Sequence, residues 1–221
     1  MWANGKSLLA GIKGLLLAAA LAALPLSAAA AAAPVKPIAL APGERGDVDR
    51  IQEFLNGIKS FKSRFVQVNP DGSAWQGVVY VQRPGRFRFQ YDEPIPHVLI
   101  ANRNWFVHID RELDTTNLLP LSQTPAQFLV RRDLSFRNGL VVTGFERGAG
   151  LLAVRVVDAR NPDIGELTLI FSDRPLALRK WTIRDAQDNW TQVTLQNVEY
   201  GVAIDPKLFD FDENSLKSAP E

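Results

Sequence analysis

The amino-acid sequence predicts a mainly β domain: an antiparallel meander of about ten or eleven short strands curled into a barrel or half-barrel, with short helices set against it. Three observations carry this. From Arg64 onward apolar and polar residues alternate with period two in short bursts. Turn clusters such as Asn69-Pro70-Asp71-Gly72, Pro84-Gly85, Glu93-Pro94 and Asn161-Pro162-Asp163 separate the bursts. Two stretches, after Asp47 and after Thr124, break the alternation with helical signals.

The elements follow in order. Residues 1–33 have the form of a cleavable signal peptide: Lys6 and Lys13 with no acid, then an apolar run to Leu26 containing Pro25, then small residues up to Ala33. The uninterrupted run is about a dozen residues, short of the roughly 20 that span a bilayer. Residues 34–46, rich in Pro and Gly without periodicity, read as a flexible lead-in. The single folded domain is then 47–221. Val48, Ile51, Phe54, Leu55 and Ile58 recur at helical spacing, with Asp47 or Asp49 to cap the start. Strands are expected over 64–68, 75–82, 85–91, 97–101, 105–109, 140–145, 151–157, 166–171, 177–183, 190–198 and 208–211. Thr124-Pro125-Ala126-Gln127, a capping-box sequence with Pro at the first helical position, starts a short inserted helix through Phe128, Leu129 and Val130.

Composition excludes several classes of chemistry. There is no cysteine, hence no disulfide, no thiol nucleophile and no lipid-accepting cysteine after the leader. Without Lys6 and Lys13 the basic count falls from 25 to 23 against 24 acids, a net charge of −1, which is not that of a nucleic-acid binder. His97 and His108 are the two histidines. His108 and Asp110 share a strand face, but no third ligand is spaced nearby, so both histidines read as structural and neither a metal nor another cofactor is expected. No nucleophile elbow, P-loop or dinucleotide fingerprint occurs, and no catalytic residue is assigned.

The most informative stretch is Arg83–Tyr91. Arg86, Arg88 and Gln90 fall on one face of a strand, and Phe87, Phe89 and Tyr91 on the other. Those rings could fill a core or line an apolar cavity, and sequence pattern leaves both open.

Five segments, in register, resemble the LolA family of periplasmic outer-membrane lipoprotein carriers. They are Ser60-Phe61 with Phe65-x-Gln67; Gly77 with Val81 to Phe89, Tyr91 and Pro94; Thr124-Pro125-Ala126 with Phe128-Leu129; Asp185-Ala186-Gln187 with Thr191 to Val198; and Phe209-x-Phe211. The chain departs from the family at Asn102-Arg103-Asn104 and Asp188-Asn189, both hairpin tips, and lacks the family's Pro-Gly tail. The resemblance implies an unclosed antiparallel half-barrel with helices as a lid, no enzymatic step and a monomer in the periplasm. It implies acylated lipoproteins as cargo, received from an inner-membrane ABC transporter, with an outer-membrane receptor as a further partner. It makes Arg83 the lid latch. It puts Phe87, Phe89, Tyr91, Phe128 and Leu129 on the acyl-chain cavity, with Ile51, Phe54 and Leu55 from the first helix, and Phe87 also at the partner-docking and cargo-admission point. Two alternatives remain: a half-barrel sensor of mislocalised lipoproteins, for which this chain ends too early to hold a second domain, and a hydrolase built on a carboxylate–histidine pair.

Overall fold

The computed structural model of the chain describes residues 35–211. The leader expected over 1–33 lies outside the described residues, as do the positions beyond Phe211.

Helix α1 spans Pro42–Gly57 and so starts inside the stretch expected to be a flexible lead-in. Pro42 supplies a first-turn residue with no N–H to leave unpaired. The Glu44 carboxylate accepts the Ala41 N–H at 2.7 Å. Gly43 and Gly46 masked this start, because glycine lowers local helix preference. Asp47 is therefore not a cap but a buried interior residue of the helix. Upstream, the Ile38 N–H donates to the Val142 carbonyl at 3.0 Å, so the lead-in is also held against an edge strand.

Eleven strands follow: β1 (Ser60–Val68), β2 (Ala74–Gln82), β3 (Arg86–Tyr91), β4 (His97–Asn102), β5 (Trp105–Asp110), β6 (Thr115–Pro120), β7 (Leu140–Gly148), β8 (Leu151–Asp158), β9 (Glu166–Ser172), β10 (Ala177–Arg184) and β11 (Trp190–Tyr200). They form one antiparallel sheet in the order β6-β5-β4-β3-β2-β1-β11-β10-β9-β8-β7. β6 and β7 are its two edges, so the sheet is an open half-barrel rather than a closed one. Helix α2 (Gln127–Val130) lies in the connection between those edges.

Two strand assignments change. β6 was not anticipated, because its residues alternate half-buried and exposed and neither face shows a clean apolar stripe. Residues 208–211 are not a strand; Pro206–Phe209 form a 3-10 turn whose start is capped by the Asp205 carboxylate accepting the Lys207 N–H at 3.0 Å. Phe209-x-Phe211 imitates strand alternation. Phe211 instead packs on the convex face against Val98, Ile100 and Val107.

The main core occupies the concave face, to which nearly every strand contributes alternate residues: Phe65, Val79, Val81, Phe87, Phe89, Val154, Leu169, Phe171, Trp181 and Leu195 among them. β2 and β3 approach closely at Gly77, where a Cβ would lie 2.1 Å from the Gln90 carbonyl oxygen. That spacing excludes any side chain and lets the sheet curl beneath Tyr91.

Candidate functional site

The alternation in β3 is resolved by packing. Phe87, Phe89 and Tyr91 are buried on the concave face, while Arg88 turns outward and donates to the Leu208 carbonyl at 3.2 Å. The rings run across the sheet in edge-to-face contacts: Phe65–Phe89 at 5.1 Å, Phe87–Phe89 at 5.4 Å, Phe65–Tyr91 at 5.4 Å and Phe89–Trp181 at 6.3 Å. Tyr91 carries the row on to Trp75 at 5.4 Å while its hydroxyl donates to Gln67 Oε1 at 2.8 Å, and burial pushes its phenol well above the ordinary range.

Over this face lie α1 and α2. Ile51 and Leu55 are fully buried from α1, and Phe54 sets its ring edge-on to Phe171 and Tyr200 at 6.0 and 5.9 Å. From α2, Phe128 and Leu129 turn inward. The expected capping box does not form at α2. The Thr124 hydroxyl donates backward to the Leu121 carbonyl at 2.9 Å, because Leu121–Gln123 already form a 3-10 turn.

Arg83 joins both helices to the sheet. Its Nε donates to the Leu129 carbonyl at 2.8 Å and its Nη1 to the Leu55 carbonyl at 2.5 Å. Both acceptors belong to last turns, where carbonyls lack a full set of intrahelical partners; the Leu55 carbonyl also accepts the Ile58 N–H at 3.3 Å. One planar guanidinium thus satisfies both helices, and its charge suits the carbonyl end of the α1 dipole. Two residues on, the Gly85 N–H donates to the Val130 carbonyl at 2.8 Å, so the β2–β3 turn binds α2 twice. Gly85 has φ +79 and its added Cβ would crowd the Arg103 backbone at 3.0 Å, which explains glycine there. Among the described residues Arg83 has no carboxylate within ion-pair distance, and burial pulls its pKa down to about 10. It therefore remains charged at neutral pH, held by carbonyl dipoles alone.

Beneath Arg83 is a small, mainly apolar void of about 20 Å³, lined by Leu55, Phe128, Leu129 and Arg83 together with Leu134, Phe136, Leu167, Leu169 and Leu178. Its size suits about one water molecule. The expected cavity residues divide accordingly. Leu55, Phe128 and Leu129 border the void, whereas Phe87, Phe89, Tyr91, Ile51 and Phe54 are packed into the surrounding core. Phe87, 1% exposed, presents no surface to a partner in this arrangement of α1 and α2.

Sequence reasoning missed the half of this site drawn from the far side of the sheet and from the loop after α2. The signal existed in β9, where Leu167, Leu169 and Phe171 alternate. Leu134 and Phe136 were harder to see. Their loop is stapled to α1 by side-chain amides, with Asn56 accepting from the Leu134 N–H at 2.8 Å and Gln52 from the Phe136 N–H at 2.7 Å.

The histidines meet at the opposite end of the concave face, with His108 Nε2 3.3 Å from His97 Nδ1 and the latter 3.6 Å from Asp110 Oδ2. The second distance exceeds a hydrogen bond. Asp110 instead accepts the Glu112 and Leu113 N–H groups, capping a turn. Among the described residues no group of three His, Cys, Asp or Glu side chains is arranged to hold a metal ion.

The chain is similar to several known proteins. The family model described as outer membrane lipoprotein carrier protein LolA matches residues 56–212. An outer-membrane lipoprotein carrier protein from Methylococcus capsulatus is 25% identical over 171 residues, which cover 73% of this chain and 81% of the relative. Its counterpart from Pseudomonas aeruginosa is 29% identical over 174 residues, covering 75% and 83%. Among solved structures, a LolA superfamily protein from Nitrosomonas europaea superposes on 74% of this chain and 97% of its own, with a TM-score of 0.43 and 9% identity. The family match takes in more than half of the sequence, including Arg83, α2 and all eleven strands but not the inward face of α1, and by it the chain belongs to the LolA family.

Proposed function

We propose that this chain is a periplasmic carrier of acylated lipoproteins, taking cargo from an inner-membrane ABC transporter and delivering it toward the outer membrane. One observation carries the reading: a concave face lined by apolar side chains is closed by two helices through a single arginine that bonds their terminal carbonyls. Acyl chains gain about 0.8 kcal/mol for each buried CH2, so a lipid anchor crossing water needs an apolar shelter. A void of about 20 Å³ holds no acyl chain, so loading requires the lid to move and expose Phe87, Phe89 and the Leu-rich far side. The Arg83 bonds suit this use. They are worth roughly 1.5–3 kcal/mol, enough to hold a lid and few enough for a docking partner to break.

The test is release of newly made lipoproteins. Spheroplasts of the source organism, pulse-labelled for lipoproteins, are incubated with the protein lacking residues 1–33. Labelled lipoprotein leaving the membrane as a one-to-one soluble complex supports the carrier. Retention of all label in the membrane, with the transporter energised, rejects it.

A further inference from the structure

Helix α1 is joined to the sheet by very different means at its two ends. At the C-terminal end Ile58 and Lys59 lead straight into β1, so that end is tethered covalently whatever else happens. At the other end its preceding chain touches the sheet by the Ile38–Val142 bond, and four charges meet on the helix itself. Asp47, 7% exposed, binds Arg50 on its own helix at 3.0 Å and Arg147 near the end of β7. Arg50 in turn reaches Asp173 in the β9–β10 turn at 2.5 Å. The Asp173 N–H donates to the Gly150 carbonyl at 2.8 Å, so the two hairpin tips carrying Arg147 and Asp173 are themselves bonded into one rim.

Lever geometry gives these contacts their meaning. From Asp47 to Ile58 is about 16 Å along the helix. Arg83 grips Leu55, within a turn of the tether, where it has little leverage over the far end. Its other bond, and that of Gly85, go to α2. Releasing Arg83 therefore loosens α2, which keeps the Gly85 bond and the Arg131–Asp158 pair, and leaves the distal half of α1 clamped.

We propose that Asp47, Arg50, Arg147 and Asp173 form a second, electrostatic latch that positions α1, and that admission of a full acyl load requires this latch to open separately from the Arg83 latch. The inference rests on the carrier reading for its purpose, while the two-latch mechanics stand on geometry alone. Arg83 acts on neutral carbonyls; the second latch acts on charges, so the two differ in what can unlock them.

The absence of cysteine allows two labels to be introduced without background. Gly46→Cys sits in open space at the distal end of α1, Arg132→Cys is exposed just after α2, and Gln196→Cys is exposed on β11 as a reference. Spin-label distances are measured for the 46–196 and 132–196 pairs. Asp47→Asn/Asp173→Asn should lengthen and broaden the first distance and leave the second unchanged, whereas Arg83→Leu should do the reverse. Asp47→Glu, which keeps the charge, should resemble the parent. Salt near 1 M, where screening acts over about 3 Å, should move the parent toward the double variant. The inference is overturned if Arg83→Leu alone frees position 46, or if the double variant leaves it in place. A diacylglyceryl-cysteine peptide is then added to the parent. Binding with position 46 stationary removes the second latch but keeps the carrier, and absence of binding removes the carrier while the label distances still decide the latch. With both correct, the double variant loads the peptide about tenfold faster.

Discussion

Arg83 and Leu55 meet across the seam between the sheet and α1, with the guanidinium on β2's outgoing turn donating to a carbonyl in the last turn of the helix. The same side chain takes the Leu129 carbonyl, so replacing it removes a bond from two helix ends at once. Arg83→Leu should cost about 1–3 kcal/mol of stability, a fall of about 2–8 °C in Tm for a domain of this size. Arg83→Lys should recover only part, since an ammonium lacks the planar fork that spans both acceptors. Urea titration of the three proteins checks the order; equal stability of Lys and Arg would remove the two-acceptor account.

Phe89 touches Phe65, Phe87 and Trp181, at the centre of the ring row. Phe89→Ala should destabilise by about 3–5 kcal/mol through lost burial and the hole left behind. Phe89→Leu should cost less than half as much. If the site serves acyl chains, Phe89→Leu should still bind a lipopeptide, because the face stays apolar.

Gly77 leaves no room for a methyl group against the Gln90 carbonyl. Gly77→Ala should force β2 and β3 apart and cost about 1–3 kcal/mol, although alanine normally suits a regular element better than glycine. A variant as stable as the parent in thermal melts would show that the close approach is not required.

His108 is held below its ordinary pKa by burial first and by the neighbouring His97 second, with Asp110 opposing both. Its folded-state pKa is lower than its unfolded value of about 6.5. As pH falls through that value the unfolded chain takes up the proton first, so stability is lost between about pH 6.5 and the lower folded-state pKa. His108→Gln should flatten this limb in denaturation midpoints measured from pH 7.5 to 5; an unchanged slope would assign the effect elsewhere.

The strands were legible because their signals are local. Alternation in β3, β8 and β9 and the punctuation by Pro, Gly, Asn and Asp follow from the two-residue period of a pleated chain. β6 escaped for the same reason reversed: its burial alternates only between half-buried and exposed, and its sequence shows no apolar–polar alternation to read. Around Phe209 and Phe211 alternation was present without a ladder, because those rings serve a turn docked on the convex face. The start of α1 was hidden by Gly43 and Gly46, whose helical conformation is supported by the Glu44 bond and by packing rather than by propensity.

By itself the sequence determined the β-rich meander, the inward set of aromatic side chains on β3 and the two helical interruptions, since each depends on neighbours a few positions away. Only the tertiary structure decided which surfaces those helices cover and what holds them. Arg83-Pro84-Gly85 reads locally as a turn, yet its partners are carbonyls 28 and 46 residues distant, and Asp47 reads as a cap until Arg147, 100 residues away, arrives beside it. Backbone carbonyls carry no sequence signature, and opposite charges so far apart along the chain are paired only by the path of the sheet.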